Sequence, residues 1–242
     1  MRYEFIYNGV LNVIRLGTTL NDKIAPSDLK MIQTYHYSRA QYEEGQGKTT
    51  MNKFFSLDSD VCMDCVYAMG NGASLKGCYT HKRDQYSGML SQLRSIGRIY
   101  GDWDNIPVFN EDIQRAIVKM CMDKYVRFGT YGEPVLLPID LVERVCFVAK
   151  SWTGYTHQWR RVPYYDYREF FMASTQGLDE SLQAETMGWR VFMDDIDKQR
   201  RTHMIGCPAS EENGYKSDCA KCSLCSGTKG KGNKSVYIFN HS

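Results

Sequence analysis

The chain has 242 residues, with 30 Lys/Arg against 28 Asp/Glu (net charge +2), 43% hydrophobic and 13% aromatic. These values exclude a disordered or fibrous polymer, and the near-neutral balance provides no general field for nucleic acid. No run reaches the roughly 18 apolar residues of a membrane helix. The opening "MRYEFIYNGVLNVIRLG" carries charges too closely spaced for a secretory core, so a cytoplasmic chain with no membrane partner is expected. A chain of this length buries about 75% of its surface on folding and needs no disulfide staples. Its nine cysteines therefore read as metal ligands or core residues.

In chain order, residues 1–52 read as an N-terminal extension of short apolar runs, with a turn at "APSD" and a loop at "AQYEEGQGKTT". Residues 53–206 alternate β-type and amphipathic runs, the pattern of an α/β fold. Strands are expected at "NKFFSL", "YVRFG", "KSWTGYT", "REFFMAS" and "WRVFM", and helices at "EDIQRAIVKMCMDK", "IDLVERVCFVA" and "LDESLQAETMG". Gly188 stands where a helix C-cap glycine belongs. Strand–helix–strand order implies parallel pairing and a full or partial (β/α) barrel, with ligands at the C-terminal strand ends. Cys62, the run Gly132–Glu133–Pro134, His157, Ser174 and Cys207 all fall at such expected ends. Residues 207–242 form a cysteine-rich metal-binding segment that closes on a last strand, "SVYIF".

Cys121 and Cys146 lie on the apolar faces of expected helices and read as small core hydrophobes. The other seven divide into three and four. Cys207, Cys219, Cys222 and Cys225 write a Cys-Pro followed by C-x2-C-x2-C, a ligand set for a [4Fe-4S] cluster, with four-thiolate zinc as the alternative. Cys62, Cys65 and Cys78 allow two readings. With His81 they form a zinc site of C-x2-C-x12-C-x2-H spacing. Without it they are three thiolates of a four-iron cluster with one coordination position open.

Three cysteines after a strand, followed by a strand ending in "GTYGEP", resemble the radical S-adenosylmethionine enzymes. The resemblance implies that Cys62, Cys65 and Cys78 hold the cluster and that Gly132 and Glu133 face the ammonium of S-adenosylmethionine. The spacing here departs from that family's C-x3-C-x2-C. The combination of C-x2-C, "GCY", a late "CP", the C-terminal cysteine run and "FNHS" also resembles an uncharacterised family of phage and bacterial proteins. That second likeness implies a phage setting and host cytoplasm, and no activity.

His157 sits in "WTGYTHQWRR", where it reads either as a proton donor beside a stacking platform or as a satisfied strand-end histidine. Asp102 and Asp104 read as a capping loop in preference to a cation site. Ser174 reads as a residue before a helix, suited to an anion or to capping alone. From Lys198 to Lys234 there are eight Lys/Arg and three Asp/Glu, a local +5. This segment suits either solvent or phosphate. The first functional expectation is thus an iron–sulfur protein with two centres, related to radical S-adenosylmethionine enzymes and acting on an unknown substrate. The second is a non-catalytic, zinc-stapled protein that contacts nucleic acid through its basic C-terminal segment.

Overall fold

Asn8 and Gly9 both take positive φ, 49° and 74°, the backbone of a two-residue hairpin turn. They join β1 (Arg2–Tyr7) to β2 (Val10–Gly17) in antiparallel register, and β3 (Met31–Tyr37) adds antiparallel to β2. In the computed structural model all residues are described except 20, 76–77, 79, 196, 199–201, 215 and 240–242. Residues 1–52, expected as an extension, thus supply three strands of a five-stranded sheet: β3 pairs in parallel with β4 (Tyr125–Tyr131), and β4 with β5 (Ser151–Thr153).

Between β3 and β4 the chain is helical. The expected loop around residue 42 is α1 (Arg39–Gln46), because Ser38 and Gln41 form a capping box. The expected strand "NKFFSL" is α2 (Met51–Phe55). The Thr50 side chain accepts from the Lys53 amide there, and Phe54 and Phe55 are buried together in the cluster with Tyr37, Leu93 and Tyr131. After α3 (Ser59–Cys62) and the cysteine loop comes α4 (Arg83–Tyr100), which sequence reading missed; it buries Met89, Leu90, Leu93 and Ile96 along one face. α5 (Glu111–Cys121) begins at the Asn110 cap, and α6 (Ile139–Val148) packs with it. Cys121 and Cys146 are buried between these helices and sheet one, as their apolar positions predict. Burial pushes the Cys121 thiol up to about 12.

The expected strand "KSWTGYT" is divided at Gly154. Ser151–Thr153 pairs with β4, whereas β6 (Tyr155–Thr156) pairs with β7 (Met172–Gln176). The Gly154 amide donates to the Cys225 carbonyl at 2.7 Å, and a Cβ here would meet Phe171 at 2.7 Å, so both the crossing and the close approach need glycine. Sheet two continues with α7 (Gly177–Thr186), β8 (Val191–Asp195), β9 (Ile205–Gly206), α8 (Cys219–Cys222) and β10 (Val236–Phe239), in strand order β6-β7-β8-β10-β9, all parallel. The molecule is a mixed α/β fold of two parallel-rich sheets that meet at Gly154; the described pairings include no closed ring of strands. Gly188, with φ of 81°, follows the C-cap of α7 as expected. No helix among the described residues is long and apolar enough to cross a membrane.

His36 on β3 is wholly buried, with Nδ1 at 2.8 Å from Asn12 Oδ1 and Nε2 at 3.4 Å from Thr34 Oγ1. Burial pushes its pKa down to about 3, against about 6.5 in an unfolded chain. The unfolded chain therefore takes up this proton first as pH falls, and the stability contributed by the neutral ring is lost from about pH 6.5 downwards. In urea unfolding, His36→Gln should lose about 2 kcal/mol less than the parent between about pH 6 and about pH 4. Equal pH slopes in the two proteins would contradict this.

Candidate metal centre and its surroundings

The cysteine loop is organised by one buried carboxylate that sequence reading missed. Asp58, 0% exposed, accepts from the amides of Met69 (3.2 Å) and Gly70 (2.7 Å), and its Oδ2 lies 3.5 Å from His81 Nε2. Gly70 is required at that position, since a Cβ would come within 2.7 Å of the Ser59 amide nitrogen. His81 also packs its ring on Phe55 at 4.3 Å. The candidate fourth ligand is thus turned to Asp58 through one ring nitrogen, while its Nδ1 has no partner.

Outside contacts carry the loop across the C-terminal ends of the parallel strands. Asp64 receives a bidentate bond from Arg161 at 2.6 and 2.7 Å. The Tyr67 hydroxyl donates to Asp194 at the end of β8 (2.5 Å) and accepts from Gln176 at the end of β7 (2.8 Å). The Glu133 amide, just beyond β4, donates to the Val61 carbonyl at 2.8 Å. Gly132 takes φ of 75°, and a Cβ there would meet His36 at 2.8 Å and the Val61 carbonyl at 3.2 Å. Pro134 opens a short 3₁₀ turn, packed over Gly129. The "GEP" run is therefore the seat on which the cysteine loop rests.

Glu133 is 3% exposed, and its carboxylate accepts from Thr156 Oγ1 (2.5 Å), the His157 amide (3.2 Å) and His157 Nδ1 (2.8 Å). His157 Nε2 then faces Cys65 Sγ at 3.7 Å. Burial opposes charge on His157, but the bonds to Cys65 and Glu133 outweigh it and hold its pKa well above the usual imidazole range. In this carboxylate–histidine–sulfur line Glu133 fixes the orientation of the His157 ring, as a carboxylate does for a metal-bound histidine. Thr156, the third group on the Glu133 carboxylate, was not singled out from the sequence; its place two residues after Gly154 on the same strand end was the available signal.

The three thiols share this neighbourhood. Burial raises Cys62 well above its ordinary value, with Asp58, Cys65, Cys78 and Glu133 adding to the rise. Cys78 is raised by burial while a bond to Thr80 opposes it, and it feels Cys65 and His157. The late cysteines form a second group. Cys225 is raised by burial and by Cys219, Cys207 and Cys222, and Cys219 is raised to about 11 by burial, against the pull of Arg127. α8 presents Cys219 and Cys222 from a turn capped by Asp218, with the Cys219 amide bonded to the Lys23 carbonyl at 2.9 Å. Arg190, 6% exposed, fixes the rest of the segment by donating to the carbonyls of Leu224, Gly227, Lys231 and Lys234. Among the described residues no group of three or more His, Cys, Asp or Glu side chains is arranged so that it could hold a metal ion. Cys62, Cys65 and Cys78 act electrostatically on one another, as do Cys207, Cys219, Cys222 and Cys225.

Other expected site residues are placed differently. Ser174 lies in β7, three residues before α7 begins at Gly177; its carbonyl accepts from Trp159 Nε1 at 3.1 Å. The strand runs on to Gln176, whose amide donates to Glu180 at 2.8 Å. The aromatic and basic run after His157 is used internally. Trp159 is buried under the Arg160 guanidinium at 3.8 Å, Arg160 pairs with Glu180, and Arg161 pairs with Asp64. Asp104 pairs with Arg39, and Asp102 begins a 3₁₀ turn. Gln158 is fully buried with both side-chain amide atoms lacking a partner, a cost that a polar ligand beside His157 would relieve.

Replacing Asp58 by Ala leaves two loop amides and His81 without their acceptor, which should cost about 2–4 kcal/mol. Urea unfolding, with limited proteolysis between residues 59 and 82, checks this; parent-like stability and an uncut loop would contradict it. Comparison of the chain with protein-family models, with curated proteins and with solved structures gives no match.

Proposed function

We propose that this chain is an iron–sulfur protein with two thiolate centres, the first on Cys62, Cys65 and Cys78 and the second on Cys207, Cys219, Cys222 and Cys225. The observation that carries the reading is the seating of a three-cysteine loop on the C-terminal ends of β4, β6, β7 and β8, through Glu133, His157, Gln176 and Asp194. Ligands collect at that end of parallel strands. The reading assigns the three sulfurs to the first centre, with His81 held on Asp58 through Nε2, and leaves one iron for an outside ligand. The likeness to radical S-adenosylmethionine enzymes and the phage setting belong to this reading through the cysteine motifs. The ammonium of S-adenosylmethionine does not fit on the Glu133 carboxylate, whose acceptor positions are filled by Thr156 and His157. No step is assigned through that cofactor.

A specific distance favours a second reading. Sulfur and nitrogen bound to one tetrahedral zinc, at about 2.3 and about 2.0 Å from the metal, stand about 3.5 Å apart. Cys65 Sγ and His157 Nε2 are 3.7 Å apart, and Glu133 holds the other ring nitrogen as a carboxylate holds a zinc-bound histidine. In this reading His157, not His81, completes a structural site.

Protein purified without oxygen should be brown and contain iron and acid-labile sulfide in equal amounts. Cys78→Ala should lose about half of both, and His81→Ala should retain them. Colourless protein that carries zinc, and loses one equivalent of it in His157→Ala, would establish the second reading and overturn the first.

A further inference from the structure

A cavity of about 1100 Å³ is lined by neither Cys65, Glu133 nor His157. It lies along β2, β3 and β4 and is walled by the first half of α4 and by the segment from Lys216 to Lys221. Arg15, Gln33 and Arg127 stand in one cross-strand row, Arg15 opposite Gln33 and Gln33 opposite Arg127. The two arginine backbones are thus two strand spacings, about 10 Å, apart. Both guanidinia act on the Tyr35 phenol, opposing the rise that burial causes. Lys23, Lys82, Lys216 and Lys221 bring further positive charge from the other walls.

Against these six cations the lining has three carboxylates, Asp22, Asp84 and Asp218. Asp218 is already engaged, capping α8 and pairing with Lys221 at 3.2 Å. Arg15 is exposed and forms no ion pair among the described residues. The first turn of the 18-residue α4 opens on the same cavity at Asp84 and Gln85, and its N-cap residue Lys82 makes no side-chain cap hydrogen bond. Guanidinium groups, lysines and a helix N-terminus around one space are phosphate-binding chemistry, although Arg127 also bonds Tyr155 and Lys221 pairs with Asp218.

We propose that this cleft binds a phosphate-bearing ligand of at least nucleotide size. Small-ligand pockets span about 300–1000 Å³, so this one holds far more than a lone phosphate. The α4 amides Gln85 and Gln92 give polar contacts for the remainder of the ligand. In the chain, Lys82 directly follows His81 and Lys221 lies between Cys219 and Cys222, so the lining includes residues next to both cysteine segments. The site nevertheless stands without the metal reading.

The test is calorimetric titration of the full chain at low salt with adenosine triphosphate, tripolyphosphate and a short single-stranded oligonucleotide, on the parent, Arg15→Gln/Lys216→Gln and Lys119→Gln. Arg15, Lys216 and Lys119 are all exposed, so the variants should melt as the parent does. At least one phosphate-bearing ligand should bind the parent, weaken about tenfold or more in the double variant, and be unaffected by Lys119→Gln on α5. Nucleotide binding displaced by tripolyphosphate identifies a free nucleotide as the source. Preference for the oligonucleotide identifies a nucleic acid strand. No binding of any of the three, or equal affinity in the parent and the double variant, would overturn the proposal.

Discussion

A carboxylate removed from water must be supplied with donors, and the way Glu133 is supplied determines the rest of the site. Its donors are Thr156 and His157, from the end of the neighbouring sheet, so one buried charge ties the end of β4 to the end of β6 across the Gly154 junction. The same bonds hold the His157 ring in one orientation, with Nε2 toward Cys65. Removing the carboxylate would release both the sheet junction and the histidine. Fold and candidate site therefore share this point.

The two cysteine groups are held by different means. The first rides on a loop whose interior is built around Asp58 and whose exterior is clamped by Asp64, Tyr67 and Cys65 to sheet two. The second is fastened from below: Arg190 draws in four carbonyls of the C-terminal segment, and Cys225 receives the Gly154 amide at the sheet junction. Gly154 thus touches the second group through Cys225, and its neighbours Thr156 and His157 reach the first. Both groups register on the same short stretch of chain.

Much of this was legible in the sequence, for stated reasons. Apolar spacing of 3.6 residues identified α5, α6 and α7, and cysteine arithmetic separated seven candidate ligands from two core residues, Cys121 and Cys146. The N-terminal sheet was not recognised, although Asn8-Gly9 between alternating apolar runs is a strong hairpin signal. "NKFFSL" misled because two adjacent phenylalanines suit a strand, whereas a Thr50 cap and shared burial with Tyr131 made it a helix turn. The pairing of Glu133 with His157 spans 24 residues and two sheets, and no local pattern encodes it. His81 was weighed by its spacing to Cys78, but Asp58, on the other side of the loop, decides where it points.

The central claim is that a sulfur-ligated metal centre sits beside the Glu133–His157 pair. X-ray absorption at the metal edge, on anaerobically purified full chain, addresses it most directly. The account predicts iron with a first shell of sulfur and a second shell of neighbouring iron atoms, altered in Cys65→Ala. Zinc in a mixed sulfur and nitrogen shell, or a metal with no sulfur in its first shell, would contradict it.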